Sequence, residues 1–177
     1  MKVILMGYMG SGKSTIGRYL SKELGYDFID LDDVINKGEG QSIPEIFSDK
    51  GAIYFRIKES EYLDKTLASK DDCVIALGGG TPCYGNNMQR IIDSPNTLSI
   101  YLQASVPYLS KRLFQEKNHR PLISEIDSLS EMEEFIGKHL FERNQFYTKA
   151  DDIVKIENKS VETICKEILD IYSKNAE

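Results

Sequence analysis

The residues with the clearest chemical potential form a glycine-rich segment near the start of the chain, residues 7–15, with the sequence GYMGSGKST. A short apolar run precedes it, and a helical pattern with Ile16, Leu20 and Leu24 on one face follows it. The spacing G-x-x-x-x-G-K-[ST] between a strand and a helix is that of the phosphate-binding P-loop. Glycines let backbone N–H groups converge on an anion, and the N-terminus of the following helix also favours negative charge. We therefore expect Lys13 to bind nucleotide phosphates and the Ser14 hydroxyl to bind Mg²⁺.

A group of carboxylates follows the second predicted strand, residues 27–30. That strand ends at Asp30, and Asp32 and Asp33 come directly after it. Ligands of open α/β sheets lie at the carboxyl ends of the strands, so these side chains should lie near the phosphates. One of them should also cap the next helix, and Asp32 or Asp33 is the candidate for that role. Neither of the next two predicted strands ends in a carboxylate, so Asp30 is the best candidate for organising the metal.

Three further segments carry candidate functional residues. Arg56 lies in a predicted helix of residues 51–68, where it is either functional or an ordinary surface charge. Gly78, Gly79 and Gly80 follow the third predicted strand and indicate either a close backbone approach or a tight turn. Residues 115–127 are polar and basic, which suits a mobile lid over phosphates or a plain surface loop.

The whole chain predicts one α/β domain. Five predicted strands alternate with helices, which favours a five-stranded parallel sheet with helices on both faces, in three layers. A length of 177 residues with 41% hydrophobic content suits a single domain with a sizeable core. The net charge of −6 argues against a broad nucleic-acid-binding face, and no apolar run is long enough to span a membrane. The three cysteines fit free thiols in a cytoplasmic protein, and Cys165 follows the apolar face of the last helix.

Taken together, these motifs resemble the shikimate kinases, a family within the nucleoside-monophosphate-kinase-like P-loop proteins. The resemblance covers nearly the whole chain. It rests on the P-loop, the Asp30-Leu31-Asp32 pair, the pattern Phe47-x-x-x-Gly51-x-x-x-Phe55-Arg56, the triple glycine, the Arg120-Pro121-Leu122 run and Arg143 near the end of a long helix.

The resemblance implies a P-loop kinase fold with substrate-binding helices at about residues 31–63 and a lid at about 115–127. It also implies transfer of the γ-phosphate of ATP, with Mg²⁺, to the 3-hydroxyl of shikimate, in a cytoplasmic and monomeric enzyme. Its implied catalytic residues are Lys13, Asp32 and Arg120. The implied ATP-binding residues are Gly10, Ser11, Gly12, Lys13, Ser14, Thr15, Arg112 and Arg120. The implied shikimate-binding residues are Asp32, Arg56, Gly78, Gly79, Gly80 and Arg143. The implied metal ligands are Ser14 and Asp30.

Two departures and two alternatives accompany this interpretation. Leu31 stands where many relatives have a small hydroxyl residue, and Thr81-Pro82-Cys83 replaces the small residues that commonly follow the triple glycine. One alternative is another small-molecule kinase, such as a gluconate kinase, which would need a different acceptor pocket. The other is a nucleotide-binding regulator without transfer activity, which would be expected to lose Asp32, Arg56 or Arg143.

Overall fold

The computed structural model describes residues 1–69, 71–117 and 121–175. Within these residues five strands form one parallel sheet in the order β2-β3-β1-β4-β5. The strands are β1 (Lys2–Met6), β2 (Asp27–Asp30), β3 (Cys73–Ala76), β4 (Thr97–Gln103) and β5 (Asp152–Lys155).

Helices connect these strands and cover both faces of the sheet, as the alternation in the sequence predicts. They are α1 (Lys13–Leu24), α2 (Leu31–Glu39), α3 (Ile43–Ala68), α4 (Asn87–Ile92), α5 (Val106–Glu116), α6 (Leu129–Tyr147) and α7 (Val161–Asn175). Short 3₁₀ turns occur at Thr81–Cys83 and Pro121–Ile123. Helix α1 packs against α7, while α5 packs against α6. Among the described helices, none is both long enough and apolar enough to cross a membrane.

The core of the molecule is centred on β1 and its two neighbours. All five β1 residues and all four β3 residues are buried, which explains their nearly continuous apolar runs. Val3 of β1 pairs with Val74 of β3 on one side and with Leu98 of β4 on the other. Because all strands are parallel, the segments after β1, β2 and β3 emerge at the same edge of the sheet. This edge therefore brings the three predicted functional segments together.

Local structure determines where α4 and α2 begin. After β3 the chain makes the 3₁₀ turn, and α4 begins only at Asn87. Asp32 or Asp33 was expected to cap α2, and this was wrong. Asp30 is the N-cap, and its Oδ1 accepts a hydrogen bond of 3.2 Å from the Asp32 backbone N–H.

Helix α3 consists of two helical segments joined at Gly51. The first segment begins with a capping box between Ser42 and Glu45. At Gly51 the backbone takes φ 80° and ψ 171°, a conformation that residues other than glycine rarely adopt. The resulting kink brings the Phe47 and Phe55 rings to a centroid distance of 4.6 Å. The glycine and the two phenylalanines of the sequence pattern are therefore parts of one kink, next to Arg56.

Candidate active site

The loop after β1 has the geometry of an anion site. Gly12 precedes α1 in a left-handed conformation with φ 84°, and no side chain caps the helix. The first N–H groups of α1 therefore have no side-chain acceptor, and they add to the positive end of the helix dipole. A cavity of about 400 Å³ opens here, and the P-loop residues that line it are Met9, Gly10, Gly12, Lys13, Ser14 and Thr15. The buried Ser11 does not line this cavity, because its side chain lies next to Gly7 beneath the loop.

Lys13 is half-buried in this cavity. Its Nζ donates hydrogen bonds of 2.9 Å to the Gly7 carbonyl oxygen and 3.0 Å to the Tyr8 carbonyl oxygen. Lys13 is therefore held by the backbone of its own loop rather than extending into solvent. The P-loop backbone holds the ammonium group next to the anion site, which limits the reorientation that phosphate binding would require.

Ser14 and Asp30 form a pair of hydrogen-bonded oxygen groups that line the cavity. The Ser14 hydroxyl donates a hydrogen bond of 2.7 Å to Asp30 Oδ2, while Asp30 Oδ1 caps α2. Mg²⁺ prefers oxygen ligands and is held through one or two protein groups, substrate phosphates and waters. Within the described parts of the chain, no cluster of three or more His, Cys, Asp or Glu could hold a metal alone. The pair therefore fits a magnesium ion that takes its other ligands from phosphate and water.

Asp32 lies two residues after Asp30, in the first turn of α2, and lines the same cavity. Burial, and after it the charges of Asp30 and Glu59, raises the pKa of its carboxyl from 3.8 to about 6. The Lys13 charge opposes this shift. A carboxyl with this pKa is ionised at neutral pH but has a stronger affinity for protons than an ordinary aspartate. It can therefore accept a hydrogen bond from a substrate hydroxyl.

The triple glycine is the point where these segments meet. Its three glycines have no positive φ, so close approach rather than backbone conformation requires them. A Cβ on Gly78 would lie 2.8 Å from Asp32 Oδ1, and one on Gly79 would lie 3.3 Å from the Met9 backbone nitrogen. A Cβ on Gly80 would lie 3.0 Å from both terminal nitrogens of Arg56. The glycines therefore make room for the aspartate, the P-loop and the arginine, respectively.

The Arg56 guanidinium is held by a buried carboxylate and an aromatic ring. Its Nη1 donates a hydrogen bond of 2.7 Å to Glu59 Oε2, and the Glu59 side chain is only 1% exposed. The guanidinium carbon lies 3.7 Å from the centroid of the Tyr84 ring. Arg56 and Tyr84 line a second cavity of about 710 Å³ along α3. Arg56 thus lies next to the P-loop cavity without lining it.

Arg143 approaches the site from α6. Its guanidinium carbon lies 5.4 Å from the centroid of the Tyr8 ring, and the hydroxyl of nearby Tyr147 donates a hydrogen bond to the Gly79 carbonyl oxygen. The charges of Arg143 and Arg56 both act on the Cys83 thiol, although burial dominates and raises its pKa to about 11. Both arginines therefore flank the triple glycine, but Arg143 lines neither of the two cavities.

The remaining candidates belong to α5 and the expected lid. Arg112 lines the P-loop cavity, and its Nη1 would lie 3.9 Å from a Cβ on Gly12. The expected lid of residues 115–127 overlaps the end of α5 and includes the 3₁₀ turn Pro121–Ile123, in which Ile123 is fully buried. Arg120 lies outside the described residues.

Sequence reasoning missed four residues of the site. Glu59 lies one helical turn beyond Arg56, and this spacing is the one signal that could have identified it. Thr81, Tyr84 and Asn87 contact the site only because the chain folds back after β3. No local sequence pattern around these three residues predicts that they contact the site.

Comparisons with known proteins agree on one family. The family model for shikimate kinase matches residues 9–173. The chain is 45% identical to a shikimate kinase of Flavobacterium johnsoniae over 97% of this chain and 99% of that protein. The crystal structure of a shikimate kinase from Bacteroides thetaiotaomicron is similar with a TM-score of 0.88 and 29% identity, covering 98% of both chains. A shikimate kinase from Acinetobacter baumannii, solved in complex with shikimate, gives a TM-score of 0.85 and 28% identity, with 98% of this chain and 93% of that chain covered.

Proposed function

This chain belongs to the shikimate kinase family, and from that membership we infer that it is an ATP-dependent kinase that acts on shikimate. It transfers the γ-phosphate of ATP to the 3-hydroxyl, giving 3-phosphoshikimate and ADP. The main structural support for this function is that Asp32, the P-loop and Arg56 all lie against the triple glycine. A phosphate site, a hydroxyl acceptor and a guanidinium next to one another suit a donor nucleotide and a hydroxylated carboxylate as acceptor.

The ATP phosphates are proposed to bind at the P-loop and the start of α1. Lys13 supplies the charge for the β- and γ-phosphates, while Gly10, Ser11, Gly12, Ser14 and Thr15 surround them. Arg112 is proposed to contact the adenine end, and Arg120 to reach the phosphates from the lid. Support comes from the cavity that five of the six P-loop positions line together with Arg112.

Ser14 and Asp30 are proposed to hold Mg²⁺, supported by their 2.7 Å contact in the cavity that both line. When bound, the ion would neutralise phosphate charge and orient the γ-phosphate. Asp30 also caps α2, so its carboxylate position is determined by the fold rather than by the ion.

Shikimate is proposed to bind between α2, α3, α6 and the triple glycine. Arg56 and Arg143 bind its carboxylate, and Asp32 accepts hydrogen bonds from its hydroxyls. Gly78, Gly79 and Gly80 let the substrate approach the backbone. Phosphoryl transfer depends mainly on positioning and charge stabilisation, so Asp32 acts chiefly by orienting the attacking hydroxyl.

A coupled assay of ADP release tests the reaction. Shikimate with ATP and Mg²⁺ should give rapid turnover, and gluconate and nucleoside monophosphates should give none above background. The variant Arg56→Gln should weaken shikimate binding while leaving ATP binding nearly unchanged. Turnover with gluconate but not with shikimate would overturn the assignment. Binding of ATP with no phosphate transfer to any tested acceptor would favour the alternative of a nucleotide-binding regulator.

We also propose that residues 1–177 form a single P-loop kinase domain, with substrate-binding helices at about 31–63 and a lid at about 115–127. A cytoplasmic location and a monomeric state are proposed on the family resemblance. Neither nucleic acid nor a membrane is expected as a partner, given the net charge of −6. Sedimentation analysis tests the oligomeric state.

A further inference from the structure

A buried hydrogen-bond chain lies behind the proposed carboxylate site. Glu59, Thr81 and Asn87 are each at most 1% exposed. Thr81 Oγ1 donates a hydrogen bond of 2.7 Å to Glu59 Oε1, while the other oxygen of Glu59 accepts from Arg56. Asn87 Nδ2 donates to the Thr81 carbonyl oxygen at 2.9 Å, and the Ser60 hydroxyl donates to Asn87 Oδ1 at 2.8 Å. The chain thus runs from α3 through the 3₁₀ turn to α4 and back to α3.

The sequence departs from its family pattern at Thr81, and the hydrogen-bond chain offers a structural explanation for the threonine at this position. We propose that Thr81 is a positioning residue, which orients the Arg56 guanidinium for the substrate carboxylate through Glu59. This inference rests on the proposed role of Arg56 in binding shikimate.

Burial of the Glu59 carboxylate carries a free-energy cost. A buried carboxylate needs a donor at each oxygen, and each missing donor carries a large desolvation penalty. Here the Arg56 guanidinium meets one oxygen and the Thr81 hydroxyl meets the other. Without the Thr81 hydroxyl, one Glu59 oxygen would lack a donor, which favours rotation of the carboxylate towards another donor. The Arg56 guanidinium bonded to it would then also change its orientation.

The surroundings of Gly78 make the orientation of Glu59 critical. A Cβ on Gly78 would lie 2.8 Å from Asp32 Oδ1, 3.0 Å from Thr81 Oγ1 and 3.5 Å from Glu59 Oε1. Two carboxylates therefore approach one small space, and they repel each other. The Thr81 hydroxyl is bonded to the Glu59 oxygen on this side, where it offsets part of that repulsion and keeps Glu59 paired with Arg56.

Asn87 holds the backbone of the turn that carries Thr81 in place. It bonds the carbonyl oxygen of Thr81 on one side and the hydroxyl of Ser60 on the other. Because Ser60 follows Glu59 directly in α3, the turn that carries Thr81 is attached to the helix that carries Arg56. A shift of the turn relative to α3 would break both contacts.

The experiment compares Thr81→Val with Thr81→Ser by measuring dissociation constants for shikimate and for ATP by calorimetry. Valine keeps the shape and removes the hydroxyl, whereas serine keeps the hydroxyl. We expect Thr81→Val to weaken shikimate binding about tenfold and ATP binding less than twofold, with Thr81→Ser close to wild type. Thr81→Ala provides the same loss of hydroxyl in a smaller side chain if the valine variant does not fold.

A double-mutant cycle separates positioning from general stability. If Thr81 acts through Arg56, Thr81→Val should weaken shikimate binding less than twofold in an Arg56→Gln background. Equal losses in both backgrounds, or equal losses for ATP and shikimate, would overturn the proposal. If Arg56→Gln alone left shikimate binding unchanged, the role of Arg56 would fail instead, and the two failures are thereby distinguished.

Discussion

At the scale of single residues, the proposed substrate-binding carboxylate of Asp32 lies where its charge is costly for the fold. The pKa of Asp32 is raised from 3.8 to about 6, first by burial and then by Asp30 and Glu59. A raised pKa means that the folded state binds the proton more tightly than the unfolded state. The stability that this proton contributes is fully present below pH 4 and is lost as the pH rises through about 6.

Asp32→Asn should therefore separate stability from activity. Above pH 6 the variant should be more stable than wild type, because it has no carboxylate to ionise, and the difference should disappear near pH 4. Shikimate turnover should fall strongly, and the decline of wild-type activity below about pH 6 should be absent from what remains. Thermal unfolding and turnover from pH 4 to 8 provide the measurement. A variant less stable than wild type at pH 7.5 would contradict the expected cost.

Asp30 combines two roles that one substitution can separate. Its Oδ1 caps α2 and its Oδ2 accepts from Ser14. Asparagine is as good an N-cap as aspartate, so Asp30→Asn should change the free energy of unfolding by less than about 0.5 kcal/mol. It removes charge from the proposed metal site, so turnover should fall and recover in part at higher Mg²⁺.

The matched control for this prediction is Asp33→Asn, which removes an exposed carboxylate from the same first turn of α2. It should have nearly wild-type turnover at every Mg²⁺ concentration. If Mg²⁺ rescued Asp32→Asn rather than Asp30→Asn, the proposed roles of the two aspartates would be reversed.

At the scale of elements, the kink in helix α3 is proposed to support substrate binding. Gly51 has φ 80°, and nothing lies within 4 Å of the position of an added Cβ. The kink brings Phe47 against Phe55, the neighbour of Arg56. Backbone conformation, rather than space, therefore determines which residue position 51 accepts.

Gly51→Ala should lower the free energy of unfolding by about 1 kcal/mol and weaken shikimate binding, because alanine resists positive φ. Gly137→Ala is the matched control, since Gly137 also has open space around its Cβ position but lies within α6. There alanine should stabilise by about 0.5–1 kcal/mol. Denaturant unfolding of both variants measures this difference. Equal effects at the two positions would mean that the kink is not under conformational constraint.

Some features of these elements could be predicted from the sequence, and others could not. The second strand was predicted at residues 27–30, and β2 has these bounds. The sequence could not choose among three neighbouring aspartates for the α2 cap, because that choice depends on Ser14 from another element. Similarly, Thr81 reaches Glu59 across 22 residues of chain, so no local pattern indicates the contact.

At the scale of the whole molecule, the lid is proposed to connect the proposed ATP and shikimate sites. Its second half is attached to the core through the fully buried Ile123, and Lys117 Nζ donates a hydrogen bond of 2.7 Å to the Ile126 carbonyl oxygen. Ile126 is partly buried and also packs against the core. Closure over the phosphates is proposed for the part of the segment that carries Arg120.

Arg120→Ala should lower turnover at least about 100-fold, with either Michaelis constant changing less than about threefold, because its charge acts mainly in the transition state. Lys111→Ala is the control, since it removes one positive charge from an exposed position on α5 and should leave turnover nearly unchanged. Hydrogen exchange across residues 115–127 should slow when ADP and shikimate are both bound, and more so before Pro121 than around the anchored Ile123. Wild-type turnover in Arg120→Ala would remove the arginine from the catalytic residues. Full protection in the free enzyme would mean that the segment is already closed, and that ligand binding, rather than lid closure, completes the site.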